Sequence, residues 1–123
     1  MLTVIAVATG GAVGAVSRYW LSGMLNDKAD KLPVGTLTCN VLGSLVMGVL
    51  FVLIMEKARL SPELRPLLMV GFLGAFTTFS SFSLETVALI QEGHIMSALI
   101  YILLSVLMCI AALSAGIWIT RLF

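Results

Sequence analysis

Residues Gly71-Phe-Leu-Gly-Ala-Phe-Thr-Thr-Phe-Ser-Ser-Phe-Ser-Leu-Glu85 place five hydroxyls, two glycines and a carboxylate inside a run otherwise apolar enough for a bilayer. Lipid offers no partner to a freed backbone group or a hydroxyl, and each unsatisfied group there costs several kcal/mol. A stretch this polar at membrane depth has to face protein, water or an ion. Glycine beside a Thr/Ser run also favours a local break in the helix, because hydroxyls compete for backbone partners. Two readings stand at this point. A broken helix near the midplane exposes amides and carbonyls and builds an ion or substrate site. An unbroken one uses Ser and Thr as hydrogen-bonding glue between packed helices.

The rest of the chain is consistent with membrane depth. Of its 123 residues 60% are hydrophobic and 11% charged, where soluble domains carry about a quarter charged. Four apolar segments, approximately 2–25, 34–55, 67–91 and 95–119, each approach the ~20 residues needed to span. The polar connections 26–31, 56–65 and 92–94 hold almost all the charge and are too short for a second domain, so a single up-down four-helix transmembrane domain over 1–123 is expected. The net charge of +1 gives no reason to expect a nucleic-acid partner. Cys39 and Cys109 fall inside apolar segments as buried thiols, without metal-ligand spacing. No cleavable leader is expected, since no Lys or Arg precedes the first apolar run and Ala6-Val-Ala8 comes too early.

Orientation is nearly undetermined by charge. Lys57, Arg59, Arg65 and Arg121 fall on one side, and Lys28, Lys31 and Arg18 on the other, four against three. A chain with so small a bias can insert both ways, which opens an antiparallel homodimer of inverted copies.

Each segment adds candidates. Gly10 and Gly14 lie four apart on the first, a face that admits another backbone, and Arg18 follows as a charge that must snorkel or find a partner. We read Arg18 as a structural anchor. On the second, Thr36, Asn40, Gly43 and Met47 share a face. Asn40 either bonds another helix or offers an N–H to an anion, and Gly43 would leave room beside its amide. On the third, Phe76, Phe79 and Phe82 recur every three residues among the hydroxyls, and an aromatic edge is electropositive enough to support an anion. Ser97, Tyr101, Ser105 and Cys109 make a thin polar stripe on the fourth, extended by Ala112 and Gly116. That stripe suits helix packing or a hydrated ion equally.

Taken in order, Gly10-Gly-xx-Gly-Ala-xx-Arg18-Tyr19, Gly35-Thr-Leu-xx-Asn40-xx-Gly43-Ser44 and Gly71-Phe-xx-Gly74-xx-Thr-Thr-Phe-Ser-Ser-Phe-Ser-x-Glu85 resemble the bacterial fluoride channel family, the Fluc or CrcB-type proteins, over the whole length. The resemblance implies a dual-topology antiparallel homodimer in the bacterial cytoplasmic (inner) membrane, in contact with lipid, with two pathways that export fluoride passively. It implies that Asn40 donates to the ion and that Phe79 and Phe82 line the pore with their edges. Thr36, Ser80, Tyr101, Ser105 and Glu85 continue the polar track. Backbone carbonyls of Gly74 and Thr77, from both copies, would hold a central structural Na+. Arg18, Gly10, Gly14 and Gly43 are left structural. Cys109 departs from the pattern, standing where some members have a hydroxyl.

Two rivals are worth weighing. A small multidrug exporter is also a four-helix dual-topology dimer, but needs a membrane-embedded Glu in its first helix, where this chain has Arg18 and no acid. A non-conducting structural subunit would use Asn40, Phe79 and Phe82 for assembly alone. Nothing resembles an ATP-binding motif or a nucleophile–base set, so an enzyme is not expected.

Overall fold

The computed structural model describes residues 1–26 and 32–123, so the loop-one charges Lys28 and Lys31 lie outside the described residues. Four helical spans follow one another: Leu2–Leu25, Val34–Glu56, Arg65–Gln91 and Ile95–Leu122, each long and apolar enough to cross a membrane. Among the described residues there is no strand. The first is a single helix, α1 (Leu2–Leu25). The second is α2 (Val34–Leu50) continued by wider π turns, π1 (Phe51–Glu56). The third consists of π2 (Arg65–Leu73), the single turn α3 (Gly74–Phe76) and α4 (Phe79–Gln91). The last is α5 (Ile95–Leu122). The expected limits fall within three residues of these at every end.

Two tight pairings carry the bundle. α1 packs along π2 and α3, while α2 packs along α5. In both, missing side chains let backbones touch. A Cβ on Gly10 would fall on the Leu67 carbonyl and one on Gly14 on that of Phe72, while one on Gly71 would meet the Val7 carbonyl at 2.7 Å. Across the other seam a Cβ on Gly48 would collide with the Leu113 carbonyl, and one on Gly116 with that of Leu45. In lipid, with little hydrophobic drive between helices, such close approach is what holds them together. The third span is shared: its first half lies against α1, and α4 turns to pack on α5 around Phe82, Leu89, Ala98 and Tyr101.

The connections are tight. Gly93, at φ +85°, closes the turn into α5, where a residue with a side chain would be strained. Ala58 ends π1 at φ 48°, the left-handed position that usually falls to glycine after a helix. Just beyond it the chain grips the end of α5: Lys57 Nζ donates to the Thr120 and Arg121 carbonyls at 2.9 and 3.1 Å, and Arg59 donates to that of Phe123 at 2.6 Å. Arg121 returns a two-pronged ion pair to Glu56. Exposed aromatics mark both rims, Tyr19 and Trp20 near the end of α1 and Trp118 near the end of α5. The long Leu, Ile and Val side chains left exposed between them belong to a multi-pass membrane protein.

Candidate functional site

The site forms where the third span leaves helical geometry. Thr77 (φ −88°, ψ 155°) and Thr78 (φ −150°, ψ 125°) are extended and separate α3 from α4. Extended residues withdraw amides and carbonyls from the helical ladder, and each needs another partner. Three side chains supply them. Asn40 Oδ1 accepts from the Thr78 amide at 2.8 Å, and Asn40 Nδ2 donates to the Thr78 carbonyl at 3.0 Å. That pairing fixes the orientation of the Asn40 amide, because Thr78 N can only donate and Thr78 O only accept. Arg18 Nε donates to the Ala75 carbonyl at 3.0 Å, taking the place of the amide a continuous helix would have brought there. Thr78 Oγ1 then caps α4 by accepting from Ser81 N at 3.1 Å. One Nδ2 hydrogen of Asn40 remains over after the clamp.

Beside this junction, between α2 and α5, lies a groove of about 440 Å³. Asn40, Gly43, Ser44 and Met47 line it from α2, Thr77, Thr78, Phe79 and Phe82 from the junction and α4, and Ser105 and Cys109 from α5. Its walls are mainly apolar, with the polar groups converging from the junction and from α5. Ser105 is 6% exposed, and its Oγ has no hydrogen-bond partner among the described residues. An orphaned buried hydroxyl is exceptional, and this one belongs to a residue that lines the groove.

The aromatic residues lead out of the groove. Phe79, 79% exposed, and Phe82, 9% exposed, stand 5.5 Å apart at 53°, and Phe82 meets Tyr101 at 5.1 Å and 58°. These tilted contacts turn edges towards faces, the favourable arrangement of ring quadrupoles. Beyond them lies a second polar cluster. Glu85 accepts from Thr36 Oγ1 at 2.7 Å and from Tyr101 OH at 2.8 Å, one donor on each carboxylate oxygen.

The structure therefore divides the sequence candidates. Asn40, Gly43, Thr77, Phe79, Phe82, Ser105 and Cys109 share the groove, whereas Thr36, Tyr101 and Glu85 form the cluster beyond Phe82. Ser80 is exposed, with its hydroxyl 3.3 Å from that of Thr78. Gly43 does not leave open space beside Asn40: the Thr77 methyl packs onto it. Thr78, which the residue patterns did not single out, is the residue the junction is built on. A threonine just ahead of a helical run is a preferred N-cap, and that signal could have marked it.

The carbonyls of Gly74 and Thr77 receive no hydrogen bond from the described residues, since the Thr78 amide that would close on Gly74 is held by Asn40. They suit an oxygen-seeking cation, although two from one chain are too few to enclose it. Among the described residues no cluster of His, Cys, Asp or Glu could hold a metal ion.

A family model described as "CrcB-like protein, Camphor Resistance (CrcB)" matches residues 5–117. A protein of Hahella chejuensis named "Fluoride-specific ion channel FluC" is 54% identical over 117 residues, 94% of this chain and 92% of that protein. Proteins of the same name from Saccharophagus degradans and Coxiella burnetii are 50% and 44% identical over 117 and 122 residues, covering 95% and 98% of this chain and 88% and 98% of theirs. With a match of that extent, joined to the junction and groove described above, the chain belongs to the CrcB-like family.

Proposed function

We propose that the chain is a fluoride channel that lowers cytoplasmic fluoride by passive export across the bacterial cytoplasmic membrane. The observation that carries this reading is the groove at the extended Thr77-Thr78 junction. It gathers the spare Nδ2 hydrogen of Asn40, the unpartnered Ser105 hydroxyl and the rings of Phe79 and Phe82, with no Lys or Arg in its lining. The amino end of α4, which opens at the same place, adds its partial positive charge. Many weak donors without a fixed cation hold an anion loosely enough to release it, as conduction requires. The relatives' name supplies the identity of the anion, because selectivity for fluoride over chloride does not follow from these donors.

The working unit is read as an antiparallel homodimer with two pathways. The Ser80 hydroxyl, exposed beside that of Thr78, calls for a polar cover that lipid cannot provide, and the near-even loop charges permit inverted insertion. Carbonyls of Gly74 and Thr77 from both copies would hold one structural Na+, whose fixed charge would favour anions nearby. Arg18 donates through Nε to the neighbouring Ala75 carbonyl and braces the same stretch of backbone. The test is fluoride efflux from proteoliposomes followed with a fluoride electrode, with chloride-loaded vesicles as control. Fluoride loss without chloride loss is expected. Verified dimers that pass neither ion would return the chain to the structural-subunit reading.

A further inference from the structure

Two sulfur-bearing residues border the groove, and the proposed function gives a role to neither. Cys109 and Met47 both line it, on α5 and α2. The register between these helices is fixed at two points: Gly48 packs between Leu113 and Ile117, and Thr36 meets Tyr101 across Glu85. Interpolating between them sets Cys109 level with Gly43, one turn before Met47. A helical methionine leans towards the amino end of its helix, which here is the level of Cys109. Ser105, one turn from Cys109, lines the same groove, and its buried Oγ has no hydrogen-bond partner among the described residues, as expected where an occupant completes the lining.

We propose that this groove binds one thiophilic monovalent metal ion, of the Ag(I) or Cu(I) class, between Cys109 Sγ and Met47 Sδ, and that the bound ion obstructs it. Thiolate and thioether are the soft donors that select such ions, and hard cations such as Na+ gain little from them. The Cys109 thiol releases its proton to water as the metal–sulfur bond forms, and no electron is transferred. Cys39 is an internal control, fully buried and absent from the groove lining.

The experiment titrates silver nitrate into the purified, intact protein in chloride-free buffer. Stoichiometry is read by native mass spectrometry, and protection of each cysteine from N-ethylmaleimide by peptide mass. We expect one Ag+ per chain and alkylation of Cys109 but not Cys39, with silver abolishing that alkylation. Cys109→Ser should bind no silver, and the volume-conserving Met47→Leu should bind at least tenfold more weakly. Silver binding that persists in Cys109→Ser, or is unchanged in Met47→Leu, overturns the site. In proteoliposomes silver should stop fluoride efflux in the native protein, whereas Cys109→Ser should show the same rate with and without silver, whatever that rate is; bound silver without block overturns the obstruction. Because binding is read without flux, the metal site and the fluoride reading can fail separately.

Discussion

Replacing Asn40 separates the two tasks its amide can perform. In the structure it holds Thr78 by two hydrogen bonds, one accepted and one donated. Asn40→Ala removes both and leaves the Thr78 amide and carbonyl to find water in the groove, a loss of about 1–3 kcal/mol for each group that fails. Asn40→Asp keeps the acceptor for Thr78 N, loses the donor to Thr78 O and adds negative charge to the groove wall. An anion about 5 Å from that charge, at an effective dielectric constant of about 20, is opposed by roughly 3 kcal/mol. That is on the order of a hundredfold in occupancy. Asn40→Asp should therefore retain more of the native fold than Asn40→Ala yet conduct far less fluoride. The assay pairs thermal unfolding in detergent with initial efflux rates from vesicles of equal protein content. If Asn40→Asp is well folded and carries fluoride at the native rate, Asn40 does not line the path. If Asn40→Ala and Asn40→Asp lose flux equally, the clamp and not the charge is what matters.

Other perturbations test the scaffold. Gly48→Ala and Gly116→Ala should each destabilise the fold by about 1–3 kcal/mol, read as a lower unfolding midpoint, because the added methyl meets backbone of the facing helix; Gly23→Ala, with nothing within 4 Å, should be neutral or slightly stabilising. Ala58→Gly should stabilise by about 1 kcal/mol in the same melts, by relieving a left-handed residue in the cap of π1. Arg18→Ala should cost about 1–3 kcal/mol by leaving the Ala75 carbonyl unpaired, and should speed amide exchange at Thr77 and Thr78. Unchanged exchange would mean that Arg18 does not support the junction.

The four spans were legible because bilayer thickness imposes a length that hydropathy alone reveals. The weight given to 71–85 rested on a rule equally blind to tertiary detail, that hydroxyls in lipid need partners. Which partners they take was not legible. Asn40 and Thr78 are 38 positions apart, Thr36 and Glu85 are 49 apart, and only packing brings them together. Spacing identified Gly10 and Gly14 as small but not the Leu67 and Phe72 backbones that lie against them. Gly43 was misread for the same reason, since a glycine's vacancy belongs to whichever neighbour reaches it first, and Thr77 does. The wide turns at Phe51–Glu56 and Arg65–Leu73 have no compositional mark distinguishing them from ordinary apolar helix.

The central claim is passive, fluoride-selective conduction, and current across a planar bilayer holding the purified protein tests it most directly. With fluoride unequal on the two sides and chloride equal, the account expects a current whose reversal potential moves by about 59 mV for each tenfold fluoride gradient. A reversal potential that ignores fluoride and follows chloride would contradict it, as would verified dimers that carry no current.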